Sequence, residues 1–453
     1  VTPEFIRGNY TPHFNVGYHM EHIKNKNITV FGLARSGIAA AKKLLSLGAK
    51  VTISEIKPAS GIDHSLLKEL QKLRIDVELG GHSLKVVESA ELIVVSPGIH
   101  LDIPVLEEAR KKSIPVISEV ELAYRLLKKP IIAVTGTNGK TTTTTLIGEL
   151  LRAGGKKVAV AGNIGSPLVE VEDSNLDLIV AEISSYQLET ISSFKPWISV
   201  LLNIQPDHLE RHRTMEEYMA QKARIFMNQN GDDYIVYNQD DPRVREMVKN
   251  AKAKLVGFTK DHPEIITLPP SEIRIPGRHN LENALASAQA AYLCGAEEGT
   301  VADVLRSFPG VEHRIEFVSR VDGVEFYNDS KATNPDSTLV ALDTFEGRNI
   351  ILILGGRDKG VSLDVLSSKV RQRAKRVILL GEATARFKQA LEKAGFGSID
   401  LADSMDGAVR ISFGSAGSGD IVLLSPACAS FDMFSNFEER GKAFKQAVKS
   451  LNS

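Results

Sequence analysis

Short apolar runs of four to six residues recur along the chain, each closed by glycine or a polar turn, with segments of helical spacing between them. The first is Ile28-Thr-Val-Phe-Gly32, followed by an Ala/Leu-rich segment near 36–47 that reads as a helix, and then by Val51–Ser54. Another apolar run, Leu92–Ser96, ends in Pro97-Gly98. A second series opens at Ile131–Thr135, passes through a glycine-rich turn into a helix starting near Lys140, and continues at Val158–Ala161, Leu178–Glu182 and Val200–Asn203. The third comprises Ile350–Gly355, Arg376–Gly381 and Ile421–Ser425. Strands alternating with helices predict an α/β fold of mostly parallel sheets flanked by helices, with ligand-binding loops at the strand ends. Boundaries near 117 and 310 divide the chain into 20–117, 118–310 and 311–453.

Composition narrows the function classes. A chain of 453 residues is too long for one core. Its formal net charge of -1 gives no basic field, so neither nucleic acid nor a membrane surface is an expected partner. No apolar run reaches the roughly 18–20 residues that span a bilayer. Cys294 and Cys428 stand far apart outside any CxxC pattern, which predicts no disulfide framework and fits a reducing compartment. Residues 1–19 lack the layout of a signal peptide and are expected to be a non-native or disordered extension with no part in the fold.

The strongest chemical signal is Thr135-Gly-Thr-Asn-Gly-Lys-Thr-Thr142. Glycines on a strand-to-helix turn let backbone N–H groups face phosphate oxygens, aided by the helix N-terminus. Lys140 can reach the β- and γ-phosphates, and the Thr141 hydroxyl can ligate Mg²⁺. The pattern is a shortened one, with Gly136 and Gly139 only. Glu182 closes an apolar strand and suits either a second Mg²⁺ ligand or a helix-capping carboxylate. Asp207 and His208 follow another strand, where a metal or phosphate role is expected of the histidine. Lys222 lies in a helical stretch, 215–227, where nothing local distinguishes it from a solvated lysine. Asn280 and Asn283, three apart, share a face at a helix start, fit to read a base or ribose or to serve as a cap and a buried amide. His313-Arg314, the polar run Asn328–Asn334, the cationic glycine loop Gly355–Gly360 and Leu424–Asp432 are candidate functional loops. Gly32-Leu-Ala-Arg-Ser-Gly37 keeps only the outer glycines of a dinucleotide fingerprint, and Glu55 ends the second strand where a carboxylate can accept from a ribose or base.

Taken in order, GTNGKTT, AGNIG, EISSYQLE, DHLERH, GRHNLENALA, EHRIE, NDSKATNP, GGRDKG and SPACASFDMFSNFEERG resemble the Mur ligase family, most closely its D-glutamate-adding branch. The resemblance implies a Rossmann-like N-terminal domain for a UDP-substrate, a central P-loop domain for ATP, and a Rossmann-like C-terminal domain for the amino acid. It implies that Gly136, Thr137, Asn138, Gly139, Lys140, Thr141, Thr142, Asn280, Asn283, Arg314 and Asp329 serve ATP. Arg35, Ser36, Glu55, Lys57, Ser96, Pro97, Gly98, Asn138, Asn163 and His208 would serve the UDP-substrate, and Lys331, Thr333, Lys359, Ser430 and Phe437 the amino acid. Thr141, Glu182, His208 and Lys222, the last carried as a carbamate, would hold two Mg²⁺ ions, with Lys140, Glu182, His208 and Lys222 central to catalysis. One departure stands out: the uracil-contacting stretch, often Asp-Thr-Arg in relatives, reads Glu55-Ile56-Lys57 here.

The implied activity is that of a cytoplasmic, monomeric ligase joining D-glutamate to UDP-N-acetylmuramoyl-L-alanine at the expense of ATP, in peptidoglycan precursor synthesis. Two rival readings are a Mur or folylpolyglutamate-type ligase for another amino acid, and a nucleotide-dependent switch or ATPase. The switch gives no account of the NDSKATN and SPACASF loops.

Overall fold

The computed structural model describes residues 23–358 and 360–452; the extension expected over 1–19 and the candidate Lys359 lie outside the described residues. The chain divides into two compact units. One runs to Leu268 and includes Glu282–Val304; the other comprises Pro269–Leu281 and the chain from Leu305 onward.

The first unit carries two parallel sheets. Strands β1 (Asn27–Phe31), β2 (Lys50–Glu55), β3 (Asp76–Leu79), β4 (Leu92–Val95) and β5 (Val116–Ser118) are ordered β3-β2-β1-β4-β5. The order reverses between β1 and β4, so the loops Gly32–Ser36 and Ser96–Gly98 leave adjacent strand ends, where a crevice opens. Strands β6 (Ile131–Thr135), β7 (Val158–Gly162), β8 (Leu178–Glu182), β9 (Ile198–Leu201), β10 (Tyr234–Asn238) and β11 (Lys254–Phe258) form the second sheet, ordered β11-β10-β9-β6-β8-β7. Here β6 lies between β8 and β9, which brings the chain after Thr135 beside Glu182 and the residues following Leu201.

Continuous Val/Ile/Leu runs bury both faces of these central strands, as parallel strands between helices require. One core joins the two sheets. Val120, Leu122 and Ala123 of the helix Glu119–Leu126 pack in it together with Val30, Ile131 and Leu168. The same helix is pinned by Glu121, whose carboxylate accepts from the backbone N–H groups of Ser192, Ser193 and Phe194.

The second unit is built on a six-stranded mixed sheet, with β12 (Glu316–Val321), β13 (Val324–Asn328), β14 (Ile350–Leu354), β15 (Ala374–Leu380), β16 (Ile399–Ala402) and β17 (Ile421–Leu424) in the order β12-β13-β17-β14-β15-β16. Only β12 is antiparallel to its neighbour. Leu352 and Leu354 face one apolar layer, Ile351 and Ile353 the other, so helices cover both sides. Because β13, β17 and β14 are neighbours and parallel, the three candidate loops that follow them emerge at one edge.

The α/β class and the central strands are as the hydrophobic pattern predicts, with small shifts at strand ends; the strand expected at Arg376–Gly381 spans Ala374–Leu380. The strand expected at Val200–Asn203 forms two residues earlier, at Ile198–Leu201. Asn203 falls just beyond the strand end, with its side chain bonded to Asn138 of the neighbouring loop.

Candidate active site

The loop between β6 and the helix Lys140–Ala153 is shaped by glycine and braced from β9. Gly139 caps the helix at φ 82°, a left-handed conformation that costs an L-residue roughly 1–2 kcal/mol. A Cβ there would sit 2.2 Å from Asn283 Oδ1, which also accepts from the Thr143 hydroxyl at 3.3 Å. Asn283 thus packs against the back of the loop. From the other side, Asn203 accepts from Thr137 N through its carbonyl and from Asn138 N through its side chain, each at 2.8 Å, while its amide donates to Asn138 O at 3.1 Å. Gln205 adds a bond from its own N to Thr137 Oγ1 and accepts from the Asn138 amide. Neither Asn203 nor Gln205 was legible as a site residue, since their importance lies in a partner about 65 positions away. Lys140 Nζ donates to Gly136 O at 3.0 Å and Thr137 O at 2.8 Å, so its charge stands over the loop. Substituting Gly139→Ala should therefore lower the melting temperature and raise the KM for ATP, because strain and the Asn283 clash both fall on the phosphate-facing turn; calorimetry and steady-state kinetics check the pair.

Next to this loop stands a buried carboxylate. Glu182, 2% exposed, accepts from the Thr141 hydroxyl through Oε2 and from the Asn163 amide through Oε1, both at 2.7 Å. Both donors are neutral. A buried anion normally has a cation or metal to offset its desolvation, and an oxygen set of Thr141 and Glu182 suits Mg²⁺. Among the described residues no three His, Cys, Asp or Glu side chains converge as a cluster.

Lys222 is the residue whose surroundings local sequence could not reveal. It lies on the helix Met215–Ala223 with 1% exposure, its Nζ donating to Gly136 O at 2.8 Å and standing 4.7 Å from the centre of the Tyr218 ring. Burial, then the nearby Lys140 charge, push its amine well below the usual lysine range. The Tyr218 hydroxyl lies 3.1 Å from Thr137 Oγ1, tying this helix to the loop as well.

His208 occupies a left-handed position, φ 55°, just before the short helix Leu209–His212. Its ring nitrogens lie 3.4 Å from Asp207 and 3.5 Å from Glu210, and its ring is 4.9 Å from that of Tyr186. Four residues on, His212 is 3% exposed, within 2.9 Å of Ser185 Oγ and stacked on Tyr186 at 5.4 Å. Burial pulls its pKa below the ordinary histidine value.

At the first sheet's edge, Gly32 and Gly37 are required by contact. A Cβ on Gly37 would lie 2.0 Å from Gly32 O, and one on Gly32 would lie 2.9 Å from Ser96. The loops carrying Arg35, Ser36 and Ser96–Gly98 are thereby held against one another. Glu55 is 8% exposed, with Oε2 accepting from Leu33 N at 2.7 Å and Oε1 from Lys57 N at 3.1 Å. Beside it, Ile56 is 64% exposed.

In the second unit, the loops after β13 and β17 meet on a buried arginine. Arg440 Nε donates to Ser330 Oγ at 3.0 Å, Nη2 to Ser330 O at 2.8 Å and Nη1 to Ala429 O at 3.3 Å. Burial lowers its pKa to about 10. Sequence reading did not single it out, because only the fold brings position 440 to 330. Asp329, 6% exposed, accepts from Ser425 Oγ at 2.7 Å and from Ile315 N at 3.3 Å, and burial pushes its carboxyl up to about 7. The Lys331 ammonium stands 5.0 Å from the Phe437 ring centre, and Ser430 is buried nearby on the Ala429 loop. Thr333 N donates to Lys331 O within the same turn. Arg314 is half-buried, and Asn280, on the helix Arg278–Leu293, donates to Pro276 O at 2.7 Å.

Known proteins resemble the chain along nearly its whole length. Three family models match the chain: the Mur ligase MurD-like N-terminal domain over 26–118, the Mur ligase middle domain over 134–291, and the Mur ligase glutamate ligase domain over 313–428. The UDP-N-acetylmuramoylalanine--D-glutamate ligase of Caldanaerobacter subterraneus is 45% identical over 450 residues, covering 95% of this chain and 99% of the relative. That of Clostridioides difficile is 41% identical with the same coverage. Among solved structures, the UDP-N-acetylmuramate-alanine ligase MurC of Thermotoga maritima shares the fold at a TM-score of 0.56 and 20% identity, covering 94% of this chain and all of its own. A pseudomurein peptide ligase type C of Methanothermus fervidus does so at 0.52 and 20%, with the same coverage.

Proposed function

This chain belongs to the Mur ligase family, and we propose that it joins D-glutamate to UDP-N-acetylmuramoyl-L-alanine, splitting ATP to ADP and phosphate, as a step of peptidoglycan precursor synthesis. The single observation that carries the reading is 45% identity to a D-glutamate ligase along 99% of that relative's length. The divisions 20–117, 118–310 and 311–453 are taken as the UDP-substrate, ATP and amino-acid domains. A reaction confined to small molecules, two of them nucleotide-bearing, suits the cytoplasm, and a monomer suffices for it.

A carboxylate is a poor acyl donor. In the proposed reaction the alanyl carboxylate oxygen attacks the γ-phosphorus of ATP; the bond from that phosphorus to the bridging oxygen breaks and ADP leaves. The D-glutamate amine then attacks the acyl carbon, loses a proton, and phosphate departs. Every nucleophile comes from a substrate, so the protein must position and neutralise. With the N–H groups of Thr137 and Asn138 held by Asn203, those of Gly139 and the start of the helix Lys140–Ala153 are left to face the phosphates, and Lys140 neutralises the transferring group. Asn163 holds one oxygen of Glu182 and thereby aims the other at Thr141. Thr141 and Glu182, with His208 and a carbamylated Lys222, would hold Mg²⁺, which would neutralise charge on the phosphates. Lys222 is suited to that modification, because an uncharged amine attacks CO₂ and loses a proton to become a carbamate. Asn280, Asn283, Arg314 and Asp329 are assigned to ATP, and Lys331, Thr333, Ser430 and Phe437 to D-glutamate. Arg35, Ser36, Glu55, Lys57, Ser96–Gly98, Asn138 and Asn163 are assigned to the UDP-substrate.

Substrate labelled with ¹⁸O in the alanyl carboxylate tests the acyl-phosphate step. One ¹⁸O should appear in the released phosphate for each ligation; label retained wholly in the peptide would exclude an acyl phosphate.

A further inference from the structure

Arg211 and Glu189 form a buried ion pair that has no part in the assignments above, yet it joins two loops that do. Arg211 lies on the short helix Leu209–His212, three positions after His208. Its Nε donates to Glu189 Oε1 at 3.0 Å and its Nη2 to Glu189 Oε2 at 2.5 Å. The same Nη2 donates to Ile99 O at 2.7 Å, and Ile99 closes the Ser96–Gly98 loop after β4. Both side chains are about nine-tenths buried, at 9% and 10% exposure. The guanidinium carbon also stands 5.5 Å from the Tyr186 ring centre, and the same ring lies 4.9 Å from that of His208. A second, exposed link, Arg213 to Asp102 at 3.6 Å, joins the same two segments.

Stability alone is a weak reason for such an arrangement, since burying an ion pair costs desolvation that an apolar pair avoids. Its geometry is what an arginine uniquely offers. A planar fork held at two points by a carboxylate leaves the guanidinium with no rotational freedom, and so fixes where it grips the Ile99 carbonyl.

We propose that Arg211, locked by Glu189, is a positioning residue that sets the separation between the nucleotide-diphosphate subsite at Ser96–Gly98 and the phosphoryl-transfer site around His208 and Glu182. The inference rests on the function proposed above. A UDP-linked substrate held at one end must deliver its carboxylate to the γ-phosphate at the other, and a misplacement of about 1 Å can cost about a hundredfold in rate. Arg211 acts on that distance through Ile99 and Tyr186 without touching the reacting atoms.

Arg211→Lys tests this, with Glu189→Gln as a second variant. A lysine keeps the charge pair with Glu189 and so the fold, but its single nitrogen cannot span carboxylate and carbonyl in a fixed plane. The expected result is a kcat for ligation lowered by roughly a hundredfold, with the KM for ATP, the melting temperature and the affinity for UDP alone, titrated calorimetrically, all unchanged. Glu189→Gln should show the same loss of kcat at unchanged UDP affinity, with a lower melting temperature because it leaves a buried guanidinium unpaired. If UDP affinity and melting temperature fall together with kcat, the pair merely holds the loop folded and the proposal is overturned. Unchanged kcat in both variants overturns it equally. These outcomes are read against an active unmodified chain, so they leave the ligase reading standing; an unmodified chain that ligates no D-glutamate overturns both.

Discussion

Lys222→Arg should abolish ligation, lowering kcat on the order of a thousandfold, although it preserves length and charge. Lys222 is sealed at 1% exposure against Tyr218, Gly136 and the neighbourhood of Lys140. A second ammonium beside Lys140 is an unfavourable neighbour for it, and burial compounds the cost. Both effects favour the uncharged amine, which is the form that adds CO₂. A carbamate would reverse the sign of the side chain and give it oxygen donors beside Glu182. Arginine has no such chemistry, so it should fail as completely as Lys222→Met, the variant that best preserves packing. Two measurements decide the matter. Steady-state rates compare the variants, and ¹³C NMR of the protein equilibrated with ¹³C-bicarbonate should show one carbamate resonance that disappears in Lys222→Met. Activity retained in Lys222→Arg would mean that position 222 acts as a cation and that no carbamate is needed.

Lys140→Ala should cost a comparable amount, about a thousandfold in kcat, with a smaller change in the KM for the UDP-substrate. Its ammonium already lies over the loop, bonded to the carbonyls of Gly136 and Thr137, and a short reorientation brings it to a phosphate placed on the loop N–H groups. The loop itself should survive the substitution, because Asn203, Gln205 and Asn283 brace it independently of the lysine. A pre-steady-state measurement of acyl-phosphate formation separates the step: the first turnover should slow as much as the steady state. A burst at the normal rate would place Lys140 in product release instead.

The parts of this molecule that sequence made legible are those that are local. β6, its turn and the helix from Lys140 are contiguous, and glycine at 139 answers a left-handed backbone that the turn demands. Glu182 was legible because it ends an apolar strand, and a parallel sheet carries such an end to the loop side. The half-buried edge strands β3 and β16 gave no comparable signal, since their burial patterns lack a continuous apolar run. Residues defined by distant partners were hidden for a different reason. Nothing within a few positions of Lys222, Asn203 or Arg440 distinguishes them from surface polar residues; their surroundings are set by Gly136, Asn138 and Ser330, which only the fold delivers. Family resemblance supplied Lys222 in place of that missing local signal. It did not supply the two bracing residues or the Arg211–Glu189 lock, which emerge from distances alone.

Ile56 shows the converse case, a residue legible as a departure but without an internal role. At 64% exposure it stands largely in solvent, while Glu55 beside it is held by the backbone N–H groups of Leu33 and Lys57. The loop's shape is therefore independent of the side chain at 56, and that position is free to vary with the ligand.

The most direct test of the central claim is phosphate release from ATP and Mg²⁺, measured with UDP-N-acetylmuramoyl-L-alanine and each of a panel of D- and L-amino acids. Release that requires both the UDP-substrate and D-glutamate, with a product heavier by one glutamyl residue, is the predicted result. Release supported equally by another amino acid, or indifferent to the UDP-substrate, would contradict it.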